Sequence, residues 1–223
     1  MDYLEELELL FSAHTNETIA IQQSAYMRNQ FSYYGIKSPQ RRQLTRTLLS
    51  KHRLPPKNQI EHLLHELWIR EERDYQLFGL DLAGKYKRNI DHDDLALFEF
   101  MIVNKSWWDT VDFIATHLVG TYFKQYPDLR LDKINEWLQS GNIWLQRSAL
   151  IYQLKWKNQI DTQILAHCID TLTPTKEFFI NKAIGWILRE YSKTNPDWVV
   201  MIVETHELHS LSQREALRLI KKH

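Results

Sequence analysis

Large aromatic residues recur along this chain about every forty positions. Tyr26, Trp68, Trp108, Trp144 and Trp186 follow one another at intervals of 42, 40, 36 and 42 residues. A period near forty residues, with helical patterning inside each unit, is typical of stacked helix pairs of the HEAT or armadillo kind. The sequence therefore predicts an all-α fold, an α-solenoid of HEAT-like helical repeats, in a single domain that spans residues 1–223.

The composition favours the same fold class and excludes several others. The 223 residues include only 6 Gly and 6 Pro, which argues against a turn-rich β architecture. With 43% hydrophobic residues the chain has enough apolar surface for a sizeable core, so disorder is excluded. The single cysteine, Cys168, excludes an intrachain disulfide framework and indicates a reducing compartment.

The amino terminus has no features of a targeting segment. Its first ten residues, MDYLEELELL, carry four acids and no basic flank, unlike a secretory signal or a transit peptide. No apolar run approaches the roughly 18 residues that a membrane span requires. We expect a protein of the cytoplasm that does not associate with membranes.

The overall charge gives no direct evidence for a polyanionic partner. The chain has 28 basic and 28 acidic residues, and its net charge is zero with neutral histidines. A surface that binds nucleic acid would therefore require basic and acidic groups to be segregated onto different sides of the solenoid.

Proline and capping residues mark several expected helix starts. Ser38-Pro39 and Asn195-Pro196 each combine a capping side chain with a proline suited to a first turn. Thr173-Pro174 begins the segment that leads into another helix, and Ser212 with Glu215 fits the capping box of the last one. At a mean length of about twelve residues, we expect roughly ten to fourteen helices.

Two histidine pairs have helical spacing but do not form a metal motif. The pairs His62/His65 and His206/His209 each place two imidazoles three residues apart. Neither pair has a convincing third ligand, and neither matches the H-E-x-x-H template. We expect surface histidines, and no metal or other cofactor.

Candidate chemistry is concentrated in the segment KSWWDTVD. On a helix, Trp108 and Asp112 lie four residues apart and share one face, whereas Trp107 points about 100° away and can enter the core. In a solenoid, equivalent positions of successive repeats align, so Asp112, Arg147 and Trp186 could converge. The pattern Trp-x-x-Arg also occurs twice, 42 residues apart.

The same residues also admit a purely structural interpretation. Tryptophans at repeat spacing are usually packing residues. Asp112 and Arg147 could form only an ion pair between repeats, worth about 0–1 kcal/mol if exposed. The pattern alone leaves both interpretations open.

The segments KSWWDTVD, NIWLQR and KEFFINKAIGWILREYSKTNP, with GIKSPQRRQL near the amino end, resemble the AlkD-type DNA alkylation repair enzymes. These are bacterial HEAT-like alkylpurine DNA glycosylases. The resemblance extends from about Tyr26 to the last helix. One departure is Lys37-Ser38, which replaces a Gln-Thr pair typical of related enzymes and retains a hydroxyl.

This resemblance implies an activity and a set of functional residues. It implies hydrolysis of the N-glycosidic bond of positively charged N3- and N7-alkylpurines in duplex DNA, bound on a concave face and acted on without base flipping. The residues matching Trp108, Asp112 and Trp186 would form the catalytic cleft, and Arg147 would grip the DNA backbone. Further DNA contacts are expected from Tyr26, Lys37, Ser38, Arg42, Lys155 and Arg189.

Two alternatives remain at the level of sequence. One is a non-catalytic relative that binds damaged or branched DNA, and the other is a helical-repeat scaffold that binds a peptide. We expect a bacterial monomer that needs no obligate protein partner and is nucleoid-associated through its substrate. The preferred adducts and the tolerated lesion size are not encoded in any motif.

Overall fold

A computed structural model describes residues 3–220, and within that range the chain is helical with no strand. The α-helices are α1 (Tyr3–Ser12), α2 (Glu17–Tyr26), α3 (Ser38–Leu44), α4 (Lys57–Ile69), α5 (Arg73–Tyr86), α6 (Asp94–Val103), α7 (Trp108–Phe113), α8 (Gly120–Gln125), α9 (Arg130–Gln139), α10 (Ile143–Ile151), α11 (Thr162–Leu172), α12 (Phe178–Tyr191), α13 (Pro196–Thr205) and α14 (Ser210–Ala216). A π-helical segment, Ile114–Val119, joins α7 to α8. Short 3₁₀ segments cover Pro127–Leu129, Lys157–Gln159 and Leu217–Leu219. The predicted all-α helical-repeat fold is confirmed, and the fourteen α-helices of the described range reach the upper end of the expected number.

The chain divides into two compact units between Asn89 and Ile90. We call the part before this boundary the N-terminal unit and the part after it the C-terminal unit. The expectation of one domain over residues 1–223 stays a prediction.

The N-terminal unit, which contains α1 to α5, has an aromatic core. Phe11 lies with its ring centroid 5.7 Å from that of Tyr34 and 5.5 Å from that of Tyr75. Trp68 on α4 is 2% exposed and packs over Gly79 of α5, where a Cβ would come within 2.8 Å of the indole. The glycine therefore lets two neighbouring helices approach closely.

The C-terminal unit, which contains α6 to α14, is organised around α10 and α12. Helix α10 packs against α6, α7, α9, α11 and α12, and α12 packs most extensively against α14. Asn142 caps α10 by accepting hydrogen bonds from the backbone N–H groups of Trp144 and Leu145. Because α10 lies between α7 and α12, residues from these three helices can meet.

Sequence signals for the helix starts succeeded at some positions and failed at others. Asn195 caps α13 as predicted, accepting from Trp198 N at 3.1 Å, and Pro196 begins the helix. Pro39 lies in the first turn of α3, but Ser38 is not the cap, since Lys37 occupies that position without a side-chain hydrogen bond. The prediction that Ser212 and Glu215 form the capping box of the last helix is wrong.

The failure at Ser212 has a tertiary cause. Helix α14 already begins at Ser210, with the ring of His209 accepting from Leu211 N. The Ser212 hydroxyl is fully buried and contacts the backbone oxygen and side-chain Oδ1 of Asn181 on α12. Its hydrogen-bonding capacity serves the contact between helices rather than the helix end.

Candidate functional site

The short helix α7 carries Trp108 and Asp112 on one face, because they are four residues apart. Trp107, at the cap position, has extended backbone angles that turn its side chain away from this face. Its ring lies 5.7 Å from Trp144 and 5.2 Å from Phe179, measured between centroids. Trp107 thus anchors α7 against α10 and α12, as the predicted division between the two tryptophans requires.

The helix changes its hydrogen-bonding pattern directly after Asp112. The π-helical segment begins at Ile114, and the Thr116 hydroxyl donates to the backbone oxygen of Asp112 at 2.7 Å. Such π segments within α-helices are frequent at functional sites. Sequence patterns did not predict this change, since a π segment of only six residues is too short to be recognised by its apolar periodicity.

Asp112 and Arg147 form a bidentate ion pair. Arg147 Nε donates to Asp112 Oδ1 at 2.7 Å, and Nη2 donates to Oδ2 at 2.8 Å. Arg147 Nη1 donates to the backbone oxygen of Phe179 at 2.6 Å. The side chains of Arg147 and Asp112 are only 6% and 17% exposed. This fork geometry fixes the plane and direction of the carboxylate.

Opposing influences act on the pKa of Asp112. Burial is the largest and raises the pKa above its ordinary value of 3.8, while hydrogen bonds and charge from Arg147 lower it and the nearby Asp109 raises it. Both carboxylate oxygens accept from a guanidinium that has no acceptor of its own. This bidentate geometry favours the ionised carboxylate, paired with the guanidinium.

A pocket of about 360 Å³ lies next to this ion pair. Trp108 and Trp186 both line it, as does Arg147. Asp112 is not among the lining residues, but its carboxylate is bonded to Arg147, which is. Trp108 of α7 and Trp186 of α12 therefore share one pocket, and Arg147 of α10 links Asp112 to its wall. The remaining lining residues are Phe178, Phe179, Lys182, Arg189, Glu215 and Arg218.

The charged residues of the pocket lining are mostly cationic. It contains four basic residues, Arg147, Lys182, Arg189 and Arg218, and one acid, Glu215, so its formal charge is +4 − 1 = +3. Glu215 bridges two of the cations, with Lys182 Nζ 3.5 Å away and Arg189 in a direct ion pair. Adding Asp112 leaves a charge of +2, which favours anionic groups such as phosphates.

Helix α14 reaches this pocket because α12 has a glycine at the contact. A Cβ on Gly185 would lie 2.7 Å from Glu215 Cβ and 3.2 Å from Ser212 O. The close approach brings Glu215 beside Arg189 on α12. The second Trp-x-x-Arg pattern therefore ends in an ion pair, as the first one does at Arg147.

The other predicted residue of the C-terminal unit, Lys155, is exposed in the turn that follows α10. Arg147 is placed differently from a simple phosphate contact, because it is 5% exposed and its guanidinium is bonded to Asp112. Its expected grip on the DNA backbone stays a prediction.

In the N-terminal unit, the predicted DNA contacts lie on exposed positions. Tyr26, the last residue of α2, is 73% exposed. Lys37 and Ser38 are exposed at the start of α3, and Arg42 is exposed in its last turn. The adjacent Arg41 is 5% exposed, and its Nη2 donates to Asp81 at 3.3 Å. Helix α3 therefore directs one arginine inward and keeps Arg42 outside.

Sequence patterns did not identify several residues of the pocket. Phe178 and Lys182 lie eight and four residues before the predicted Trp186, on the same face of α12. This spacing could have identified both of them from Trp186. Glu215 and Arg218 come from a different helix and a 3₁₀ turn, so no local pattern connects them with the pocket.

Neither a metal cluster nor a membrane-spanning helix occurs in the described part of the chain. Between residues 3 and 220, no three His, Cys, Asp or Glu side chains are grouped so as to hold a metal ion. Over the same range, every helix is too short or too polar to cross a bilayer.

Comparisons with known proteins agree on one family. The family model described as "DNA alkylation repair enzyme" matches residues 7–220. A solved structure from Enterococcus faecalis, described as a predicted DNA alkylation repair enzyme, is 32% identical and superposes with a TM-score of 0.87, covering 94% of this chain and 98% of that one. No curated protein matches the chain. The chain therefore belongs to the family of DNA alkylation repair enzymes, which gives it an enzymatic role in DNA repair.

Proposed function

We propose that this protein is an alkylpurine DNA glycosylase. It would hydrolyse the N-glycosidic bond of positively charged N3- and N7-alkylpurines in duplex DNA and leave an abasic site. The observation that carries the proposal is the Asp112 carboxylate, held by Arg147 beside a pocket that Trp108 and Trp186 share.

A single carboxylate is sufficient for this substrate class. A purine alkylated at N3 or N7 already carries a positive charge, so the bonding electron pair neutralises the base as it leaves. No general acid is needed, whereas glycoside hydrolases that act on neutral leaving groups typically require two carboxyl groups. Positive charge then develops on the deoxyribose in an oxocarbenium-like transition state.

Asp112 has the charge and rigidity to stabilise that transition state. Its negative charge would face the developing cation and orient the water that attacks C1′, with the water's proton passing to the carboxylate or to solvent. The bidentate contact with Arg147 fixes the carboxylate before the reaction, so little reorganisation is required. The indole faces of Trp108 and Trp186 present negative quadrupoles that favour the same cation and exclude water.

The charge of the pocket favours a mechanism in which the damaged base remains stacked. Most enzymes that process bases flip the nucleotide into a pocket. Here the lining together with Asp112 has a formal charge of +2, which disfavours a cationic purine and attracts the phosphates that flank its sugar. The sugar-phosphate backbone would therefore occupy the pocket, and the alkylated base would stay outside it.

The remaining parts of the proposal follow from the substrate. The partner would be double-stranded DNA containing alkylated purines. We propose contacts from Arg147, Lys155 and Arg189 of the C-terminal unit and, taken separately, from Tyr26, Lys37, Ser38 and Arg42 of the N-terminal unit. Hydrolysis requires water and no cofactor. We propose a monomer that acts in the bacterial cytoplasm at the nucleoid.

The decisive experiment replaces Asp112 by asparagine and measures the bases released from methylated duplex DNA by mass spectrometry. Loss of the preorganised charge should slow release of 7-methylguanine and 3-methyladenine about 10²–10³-fold. Binding of the duplex should persist, because phosphate contacts supply most of the affinity. Release at the natural rate would exclude the catalytic role of Asp112.

A second variant separates catalysis from folding. Removing one partner of a buried ion pair costs about 3–5 kcal/mol, because the other charge is left uncompensated. The double variant Asp112→Asn/Arg147→Gln removes both charges and should retain more stability. If it folds, binds duplex DNA and releases no base, the pair is catalytic. If wild-type protein binds duplex DNA but releases no base, the non-catalytic DNA-binding alternative is correct.

A further inference from the structure

Six residues of the described chain have a left-handed backbone conformation, and three of them are long cations. Gly35 and Gly141 have φ of 82° and 69°, and Asn29 has φ of 55°. The other three are basic residues, Arg28, Lys105 and Lys157, with φ of 56°, 46° and 55°. Glycine and asparagine are the residue types that normally occupy such positions.

Two of these cations occupy positions that directly follow a helix. Arg28 comes directly after Met27, the C-cap of α2, and Lys105 directly after Asn104, the C-cap of α6. A helix commonly ends with a left-handed residue at this place, usually glycine, because a Cβ is strained there. A lysine or arginine is therefore present at a cost to the backbone that glycine would avoid.

The three cations lie close in sequence to residues of the candidate site or to predicted DNA contacts. Lys105 lies in the four-residue connection, 104–107, that leads into α7 and Trp108. Lys157 follows Lys155 by two residues and is exposed. In the N-terminal unit, taken by itself, Arg28 is exposed and follows the exposed Tyr26 by two residues.

A structural explanation exists for cations at helix ends. Lysine and arginine near a C-terminus interact favourably with the helix dipole. That explanation predicts an effect on stability and none on ligand binding. It does not apply readily to Lys157, which begins a 3₁₀ turn six residues after the end of α10.

We propose that Arg28, Lys105 and Lys157 are DNA-contacting residues, each placed by a strained left-handed turn so that its charge meets a backbone phosphate. The inference rests on the proposed function, since it takes duplex DNA as the ligand. It adds three contacts to the predicted set and explains why glycine is absent from these positions.

The test substitutes glycine at each position and measures stability and DNA binding separately. Because glycine adopts positive φ without strain, Lys105→Gly, Lys157→Gly and Arg28→Gly should melt at the natural temperature or above it. Binding to an unmodified duplex should weaken several-fold, and the slope of log K against log salt should become shallower by about 0.9 for each phosphate that is no longer neutralised.

Two control variants isolate the cause. Asn29→Gly makes the same backbone change without removing a charge, so its binding should be unchanged. Lys193→Ala removes a cation from an ordinary turn, where Lys193 pairs with Glu190 at 2.6 Å, and it should leave the salt slope unchanged. If one of the three glycine variants proves unfolded, asparagine at the same position tolerates the backbone conformation and also lacks the charge.

The outcomes separate this inference from the proposed function. If wild-type protein binds DNA and releases alkylated bases while the three glycine variants keep its salt slope, the inference is wrong and the proposed function stands. Lower melting temperatures with unchanged binding would establish the helix-dipole role instead. If wild-type protein does not bind duplex DNA, the proposed function itself fails.

Discussion

Asp112 depends on Arg147 for both its orientation and its ionisation. Both carboxylate oxygens accept hydrogen bonds from the guanidinium, at 2.7 and 2.8 Å. Burial raises the pKa of Asp112, and the charge and hydrogen bonds of Arg147 lower it. The ion pair and the proposed catalytic carboxylate involve the same two side chains, and the pH dependence of the reaction distinguishes the structural role from the catalytic one.

The pH-rate profile of base release should have an acid limb set by Asp112. Since the folded protein raises the pKa of this group above 3.8, the active carboxylate is present above the raised pKa and disappears as the pH falls through it. In Arg147→Met, the influences that lower the pKa disappear, so the acid limb should move to higher pH. Single-turnover rates at saturating protein, corrected for spontaneous depurination, measure this shift.

The matched control for this shift is Lys182→Gln. Lys182 lines the same pocket, but it pairs with Glu215 rather than with Asp112. The acid limb of the pH-rate profile of Lys182→Gln should therefore stay at the wild-type position. An acid limb that does not move in Arg147→Met would show that the ionisation of Asp112 does not limit the reaction.

At the scale of elements, α10 is the support on which the candidate site is built. It carries Arg147 and packs against both α7 and α12. Its C-cap, Tyr152, is fully buried and packs beside Gly120, the first residue of α8. A Cβ on Gly120 would lie 2.5 Å from the backbone oxygen of Tyr152. The glycine is therefore required by the close approach of α8 to the end of α10.

Gly120→Ala should destabilise the protein, although alanine is the better helix former. Helix propensity alone predicts a gain of about 1 kcal/mol. The clash is with backbone rather than a flexible side chain, so overpacking should cost about 1–3 kcal/mol and outweigh that gain. The midpoint of urea unfolding measures the sign. A variant more stable than the natural protein would mean that α8 and α10 do not meet at Gly120.

The sequence predicted elements whose signals are local. Asn195 and Pro196 begin α13 as expected, because a cap and a first-turn proline require only neighbouring residues. The capping box predicted at Ser212 was wrong because the contact of this residue is not local: its hydroxyl bonds to Asn181, 31 residues away in sequence. The π-helical segment at Ile114–Val119 likewise depends on packing that periodicity does not reveal.

The candidate site shows the same limit. The spacing of Trp108 and Asp112 predicted a shared helix face, and the pocket contains both Trp108 and Trp186. The sequence left open whether Arg147 reaches DNA or Asp112, and the structure pairs it with Asp112. Glu215 could not be predicted as part of the pocket, because its place there depends on the approach of α14 to Gly185.

At the scale of the whole molecule, neutrality makes local charge decisive for DNA binding. The chain has 28 basic and 28 acidic residues, so its net charge supplies no long-range attraction to a polyanion. Charges separated by more than about 8 Å are largely screened at physiological ionic strength. Affinity must then come from clusters such as the pocket lining, with its formal charge of +3.

Removing two charges from this cluster should weaken DNA binding far more than removing two charges elsewhere. Lys182→Gln/Arg218→Gln lowers the formal charge of the lining from +3 to +1. We expect the slope of log K against log salt to become shallower by up to about 1.8, which is 0.9 for each phosphate that these side chains neutralise.

The control variant, Lys51→Gln/Lys87→Gln, has the same net charge as Lys182→Gln/Arg218→Gln, but it changes two exposed lysines that do not line this pocket. Titration of a fluorescent duplex between 50 and 200 mM salt compares the two variants, with the salt range chosen for its strong effect on phosphate contacts. Equal weakening in both would mean that DNA responds to the total charge of the protein, and the pocket would then have no special part in binding.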